Sequence, residues 1–216
     1  MDFWINITTY KRERPLKNLL AQIKEYGKDY SISGLIVIDH CTYNPIPGWK
    51  VLNMSYHHGR KGFFRIMNQS FNAMKDQKFK YFLNLQDDVT IEPDFFSKCI
   101  ELWEGIKDHD KIVLDLRKDE RAGRSMWGLY PVHEIGNYYK SQWMDLIFMS
   151  DSRFRIHAPM LDFWNIDSSS GVARQMTKRF RQKGLNMYHS KDVILHHGQL
   201  PSLMNPETRK NDKLIC

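Results

Sequence analysis

The chain has 216 residues, 42% hydrophobic and 13% aromatic, which supports one packed domain and excludes a disordered chain, and no window nears the roughly 18 apolar residues of a membrane span. Its formal net charge of +7 favours polyanionic partners such as nucleic acid, nucleotide phosphates or an anionic lipid surface. The opening MDFWINITTYKRERP lacks a signal-peptide core, and Cys41, Cys99 and Cys216 form neither a disulfide framework nor a metal spacing, so a reducing, cytoplasmic setting is expected.

FWINITTY (3–10) predicts a short buried strand, rich in β-formers. RPLKNLLAQIKEYG (14–27) places Leu16, Leu19, Leu20 and Ile23 at helical spacing, with Pro15 near the start and Gly27 just past the end. GLIVIDH (34–40) is a continuous apolar run closing on an acid, the pattern of a central strand covered on both faces. WKVLNM (49–54) predicts a third strand, GFFRIMNQSFNAMK (62–75) a second helix, KYFLNL (80–85) a fourth strand and PDFFSKCIELWEGI (93–106) a third helix. Strand and helix alternate, so βαβ units on a largely parallel sheet are expected.

The second half is less regular. KIVLDLR (111–117) reads as a strand and WMDLIFMS (143–150) is apolar again. SGVARQMTKRFRQKG (170–184) reads as a basic helix closing at Gly184, and KDVILHHG (191–198) as a strand running into two histidines. Between them, the stretch from Lys118 to Tyr139 is rich in Gly, Arg and aromatics without periodicity.

In parallel sheets, ligands bind beyond the carboxyl ends of the strands. Asp39 and the adjacent pair Asp87 and Asp88 fall at those ends. Two neighbouring carboxylates repel each other, so a cation is expected beside them, either a Lys or Arg or a divalent metal. A hard cation such as Mg²⁺ takes one or two carboxylates and lets substrate phosphates complete its shell. The competing reading is a helix cap. Asp94, directly after Pro93, can serve that purpose and leaves Asp87 and Asp88 unexplained.

Four stretches resemble, in order, a GT-A glycosyltransferase of the family-2-like kind. INITTYKRERPLKNLL (5–20) is similar to its opening strand with a T-T-Y-x-R loop and the following helix, and GLIVIDHCT (34–42) to its second strand with a terminal acid. YFLNLQDDV (81–89) resembles the strand entering the metal-binding DxD motif, and VILHHGQLPS (193–202) the late H-x-G segment. The resemblance implies a single α/β GT-A domain with a mainly parallel, mixed central sheet. Residues 1–110 would bind the nucleotide-sugar, 111–198 the acceptor, and 199–216 would form a C-terminal tail.

It also implies residue roles. Thr8, Tyr10 and Arg12 would line the base and phosphate end of a donor, expected to be a UDP-sugar. Asp39 would accept hydrogen bonds from the base or ribose. Arg65 and Asn68 would face the nucleotide, with a solvated helix face as the competing reading. Asp88 would ligate Mn²⁺ or Mg²⁺ between diphosphate oxygens, and Asp87 would hold the ribose or donor sugar. His196 is the preferred second metal ligand and His197 the reserve. A divalent cation stabilises charge on the departing β-phosphate, and inverting transfer needs a base for the acceptor hydroxyl.

One departure concerns that base. Inverting members carry a Glu-Asp pair opening the helix before the late histidine, whereas the aligned stretch here is SSGVARQ (169–175). The nearest acids are Asp167, Asp162 and Asp145; Asp167 is the first choice and Asp145 the second, against helix caps or surface acids as the competing reading.

For the acceptor, two readings stand. RKDERAGR (117–124) and TKRFRQKG (177–184) interleave with Trp127, Tyr130, Tyr138, Tyr139 and Trp143, a mixture suited to neutralising phosphates and stacking an extruded base. Arg124, Trp127, Lys178, Arg179 and Arg181 are the expected acceptor contacts, and a hydroxymethylated pyrimidine base in DNA, as in phage-type DNA base glycosyltransferases, is the preferred acceptor. The alternative is a cell-surface polysaccharide or lipid-linked glycan, with the basic helix as a solvated or membrane-facing surface.

Overall fold

The computed structural model describes residues 1–39, 46–54, 59–117, 133–162 and 170–197. In its first half, β1 (Phe3–Thr9), α1 (Glu13–Tyr26), β2 (Ile32–Asp39), β3 (Lys50–Met54), α2 (Gly59–Lys75) and β4 (Tyr81–Gln86) alternate as the periodicity predicts. After them come β5 (Val89–Ile91), α3 (Phe95–Gly105), β6 (Lys111–Asp115), β7 (His133–Ile135), β8 (Tyr138–Ser141) and β9 (Phe148–Asp151). The described chain closes with α4 (Phe154–His157), α5 (Ser170–Gln182), β10 (Asn186–Ser190) and β11 (Leu195–His197).

One nine-stranded mixed sheet runs β3-β2-β1-β4-β9-β6-β10-β8-β7, and β5 pairs with β11 in a separate two-stranded sheet. The block β3-β2-β1-β4 is parallel. Antiparallel β9 then separates β4 from β6, β6 and β10 run parallel, and β8 and β7 close the far edge antiparallel.

All seven residues of β1 are buried because both faces are covered. Side chains alternate along a strand. Phe3, Ile5 and Ile7 therefore join the cluster with Leu16, Leu19 and Ile23 of α1 and Phe96 and Trp103 of α3, while Trp4 joins Phe63, Met67 and Phe71 of α2 and Met176 and Phe180 of α5. An apolar run without alternation is what this double burial requires.

The boundaries that differ have local causes. β9 takes only the end of the apolar stretch 143–150, because pairing with β4 begins at Phe148. β10 is not visible as a strand in the sequence, since NMYHS mixes polar residues with apolar ones. Asp94 sits at the N-cap of α3 but makes no side-chain cap hydrogen bond. Instead Ser97 Oγ donates back to Asp94 O at 2.8 Å. Gly184, at φ +71°, turns the chain from α5 into β10 in the left-handed region that suits glycine.

That turn sets the direction of α5. Asn186 N–H donates to Asp110 O at 2.8 Å, so the end of α5 lies at the N-terminal ends of β10 and β6. Asp39, Asp87 and Asp88 lie at the opposite end of the sheet, just at or beyond the C-terminal residues of β2 and β4.

Candidate functional site

The parallel register of β1 and β4 brings Thr8 beside Gln86, and Asp87 N–H continues the ladder by donating to Thr8 O at 3.2 Å. This delivers the carboxylate pair to the loop that follows β1. Thr9 Oγ1 donates to Asp87 Oδ2 at 2.6 Å, and Arg12 Nη1 lies 3.2 Å from Asp87 Oδ1 and 2.7 Å from Asp88 Oδ2. The repulsion between the two acids is thus relieved by a guanidinium bridging them. Burial pushes the Asp87 carboxyl up to about 6, against the pull of Arg12 and of the Thr9 hydrogen bond.

Asp88 has a different outlook. Its Oδ2 is held by Arg12, whereas Oδ1 is buried and accepts no hydrogen bond. A buried carboxylate oxygen without a donor is costly unless something positive completes it. His197 Nε2 lies 3.4 Å from that oxygen.

The pairing of β5 with β11 produces this approach, because it sets His197 opposite Val89, the residue after Asp88. Adjacent strand residues point to opposite sides. His197 therefore turns toward Asp88 and Gln86, whose Oε1 is 3.3 Å from Nε2. His196 turns away and pairs with Glu92 at 2.8 Å, largely exposed. The expected order of the two histidines is reversed: His197, not His196, meets Asp88.

The Asp88 carboxylate suits a hard divalent cation, and the His197 imidazole is the softer donor of the pair. In an octahedral shell with bonds of about 2.1 Å, neighbouring ligands are about 3 Å apart, close to the observed separation of Asp88 Oδ1 and His197 Nε2. Among the described residues no group of three or more His, Cys, Asp or Glu side chains could hold a metal ion. The protein can supply two ligands here, leaving the rest of the shell to phosphate oxygens and water.

The remaining predicted residues divide by position. Thr8 and Asp39 are buried on the adjoining strands β1 and β2 at the same end of the sheet as Asp87. Tyr10 follows β1, with Lys11 Nζ 5.6 Å from its ring centroid. Arg65 is exposed on α2, stacked 5.6 Å over Phe64. Asn68, expected to face a nucleotide, instead clamps a peptide. Its Nδ2 donates to Leu161 O and its Oδ1 accepts Leu161 N–H, both at 2.9 Å. A side-chain amide matches both hydrogen-bonding groups of an extended backbone, and that match decides its role.

Asp145 lies three residues before β9, and its N–H donates to Asp115 at 2.6 Å. Its Oδ2 pairs with the Arg117 guanidinium and its Oδ1 accepts Leu146 N–H at 2.6 Å. Lys178, Arg179 and Arg181 lie in the half of α5 that leads to the opposite end of the sheet, and Arg179 pairs with Asp162. The structure does not bring these three beside the carboxylate pair. Asp167, Arg124 and Trp127 lie outside the described residues.

Sequence reasoning passed over one buried polar group. Asp115 and His189 occupy paired positions on β6 and β10, almost fully enclosed, with His189 Nδ1 3.8 Å from Asp115 Oδ2. Asp115 accepts the Asp145 N–H at 2.6 Å and the Arg117 N–H at 3.1 Å. His189 Nε2 lies 3.0 Å from Trp143 O, and a carbonyl only accepts, so Nε2 carries a proton. Desolvation pushes the Asp115 carboxyl up to about 6, opposed by His189. The signal was present: KIVLD closes on an acid, as GLIVID does.

No protein-family model matches the chain, and no curated protein matches its sequence. Solved structures match its fold. Over 96% of this chain and 61% of the other, it is similar to S. aureus TarS 1–349 in complex with UDP-GlcNAc, with a TM-score of 0.63 and 14% identity. Over 93% of this chain and 44% of the other, it is similar to GalNAc-T7 with UDP, GalNAc and Mn²⁺, with a TM-score of 0.65 and 10% identity. The chain therefore spans about three fifths of TarS 1–349, 37% of the longer TarS chain and less than half of GalNAc-T7. Both are GT-A fold glycosyltransferases. At these identities the likeness is one of backbone architecture, and it agrees with the strand order and the carboxyl-end site: the chain has the GT-A fold.

Proposed function

We propose that this chain is a glycosyltransferase that moves a sugar from a UDP-sugar to a hydroxyl acceptor with the help of Mn²⁺ or Mg²⁺. The observation that carries the reading is the buried Asp88 Oδ1, which accepts no hydrogen bond and lies 3.4 Å from His197, at the carboxyl end of a GT-A sheet. The solved neighbours were captured with UDP, UDP-GlcNAc, or UDP with GalNAc and Mn²⁺, which supports the donor class and the cation.

Asp88 and His197 would hold the cation, which when bound supplies positive charge against the leaving diphosphate. Asp39, at the end of β2, accepts hydrogen bonds from the base or ribose. Thr8 and Tyr10 line the donor beside it. Asp87 is held by Thr9 and Arg12 and keeps the corner in shape, with the donor's sugar hydroxyls beyond it. Asp167 takes the proton of the attacking hydroxyl. Asp145, with Arg117 and Leu146 on its two oxygens, is the weaker candidate for that step.

For the acceptor, the net charge of +7 supports a hydroxymethylated pyrimidine in DNA. The distance of the basic half of α5 from Asp88 along the sheet favours the second reading, a cell-surface polysaccharide or lipid-linked glycan. No helix among the described residues is long and apolar enough to cross a membrane. A reducing, cytoplasmic setting suits the buried thiol of Cys99.

The test is UDP release from a panel of UDP-sugars with Mn²⁺ and with chelator, followed by mass analysis of two acceptor arms: hydroxymethylated duplex DNA, and polysaccharide or lipid-linked glycan. Metal-dependent UDP release from at least one donor is expected. Its absence across the panel would overturn the transferase reading, and the labelled arm decides the acceptor.

A further inference from the structure

We infer that Arg12 is a positioning residue for the cation site: it orients Asp88 so that Oδ1, rather than Oδ2, is presented to His197. This rests on the reading of Asp88 and His197 as cation ligands and differs from the donor-lining role that the resemblance assigns to Arg12.

Three observations carry it. One guanidinium nitrogen, Nη1, contacts both acids and takes the Asp88 oxygen that faces away from the histidine. The guanidinium is itself anchored through Asp87, which Thr9 Oγ1 holds from behind. Lys11 adopts φ 52°, the positive value found at no other non-glycine among the described residues, and this left-handed step turns the chain between β1 and α1 just before Arg12. A side-chain residue tolerates that conformation only where its surroundings demand it. The relay runs Thr9 to Asp87 to Arg12 to Asp88, with only Asp88 touching the cation. Partners of this kind fix a ligand's orientation and typically change metal affinity by about 10–100-fold.

The sign of the effect separates positioning from plain electrostatics. Removing a positive charge beside a cation site should tighten cation binding if Coulomb repulsion were all that mattered. Loss of positioning should weaken it.

Mn²⁺ binding is measured by electron paramagnetic resonance on the full chain without nucleotide, so that contacts to a donor do not enter. Arg12→Gln is expected to bind Mn²⁺ about 10-fold or more weaker than wild type. Thr9→Val, which leaves every charge in place, should shift affinity in the same direction by less, and it carries the test if Arg12→Gln does not fold by circular dichroism. Unchanged or tighter binding in the folded variants overturns the role of Arg12 while leaving the cation site intact. Wild-type protein that binds no Mn²⁺, with or without UDP, overturns the cation reading itself. UDP affinity in chelator, measured alongside, reports any direct contact of Arg12 with the diphosphate.

Discussion

His197 Nε2 lies 3.4 Å from Asp88 Oδ1 because the short strands β5 and β11 pair with His197 opposite Val89. A slip of one residue in that register would exchange His197 for His196 and turn the site's imidazole out toward Glu92. Three residues of β-pairing therefore decide which of the two imidazoles meets the carboxylate pair.

His197→Ala should raise the Mn²⁺ concentration for half-maximal UDP-sugar hydrolysis by about 10-fold or more, since a ligand matters at least as much as its supporting partners. His196→Ala removes an exposed hydrogen bond with Glu92 and should leave the metal titration nearly unchanged. Equal losses in both variants would contradict the assignment. The readout is a metal titration of UDP release.

Asp39 is buried at the end of β2, where a donor base or ribose would meet it. Hydrogen bonds to a charged group contribute about 1.5–3 kcal/mol, so Asp39→Ala should weaken UDP binding by about 10-fold or more. Isothermal titration with UDP in chelator checks this without the metal. Undiminished affinity would remove Asp39 from the donor site.

Asn68→Ala should lower stability by about 1–3 kcal/mol, because both hydrogen-bonding groups of the Leu161 peptide lose their partner. UDP affinity should not change. Urea unfolding together with calorimetry separates the outcomes, and a variant with normal stability but poor UDP binding would restore a nucleotide role for Asn68.

The Asp115 carboxyl sits at about 6 in the folded chain, above its ordinary 3.8, because it is desolvated. The native state then holds a proton that the unfolded chain releases at lower pH. Its contribution to stability is full below pH 4 and is lost as pH rises through about 6, by on the order of 3 kcal/mol at most. Asp115→Asn should flatten that decline, read as the change in urea midpoint between pH 4 and pH 7. An identical pH profile in the variant would rule out Asp115 as its source.

Much of the fold was legible because burial on two faces leaves a local trace. The runs FWINI and YFLNL, apolar on both faces apart from Asn6 and Asn84, are satisfied between two helical layers, and the stripe Leu16, Leu19, Ile23 states which face of its helix turns inward. The acids that close GLIVID and follow YFLNLQ marked the carboxyl end of the sheet. Pairings between distant segments have no such trace. Whether His196 or His197 meets Asp88 depends on the register of β11, and period-2 alternation in three residues does not specify it. Asn68 looks like any other polar residue until Leu161 arrives from far along the chain to use both of its hydrogen-bonding groups, and the acid closing KIVLD does not reveal that His189 will lie beside it. The basic turn of α5 was visible as charge, but its distance from the carboxylates followed from the parallel pairing of β10 with β6. Local pattern determines which elements form and which faces are buried; which polar groups meet is settled by long-range pairing.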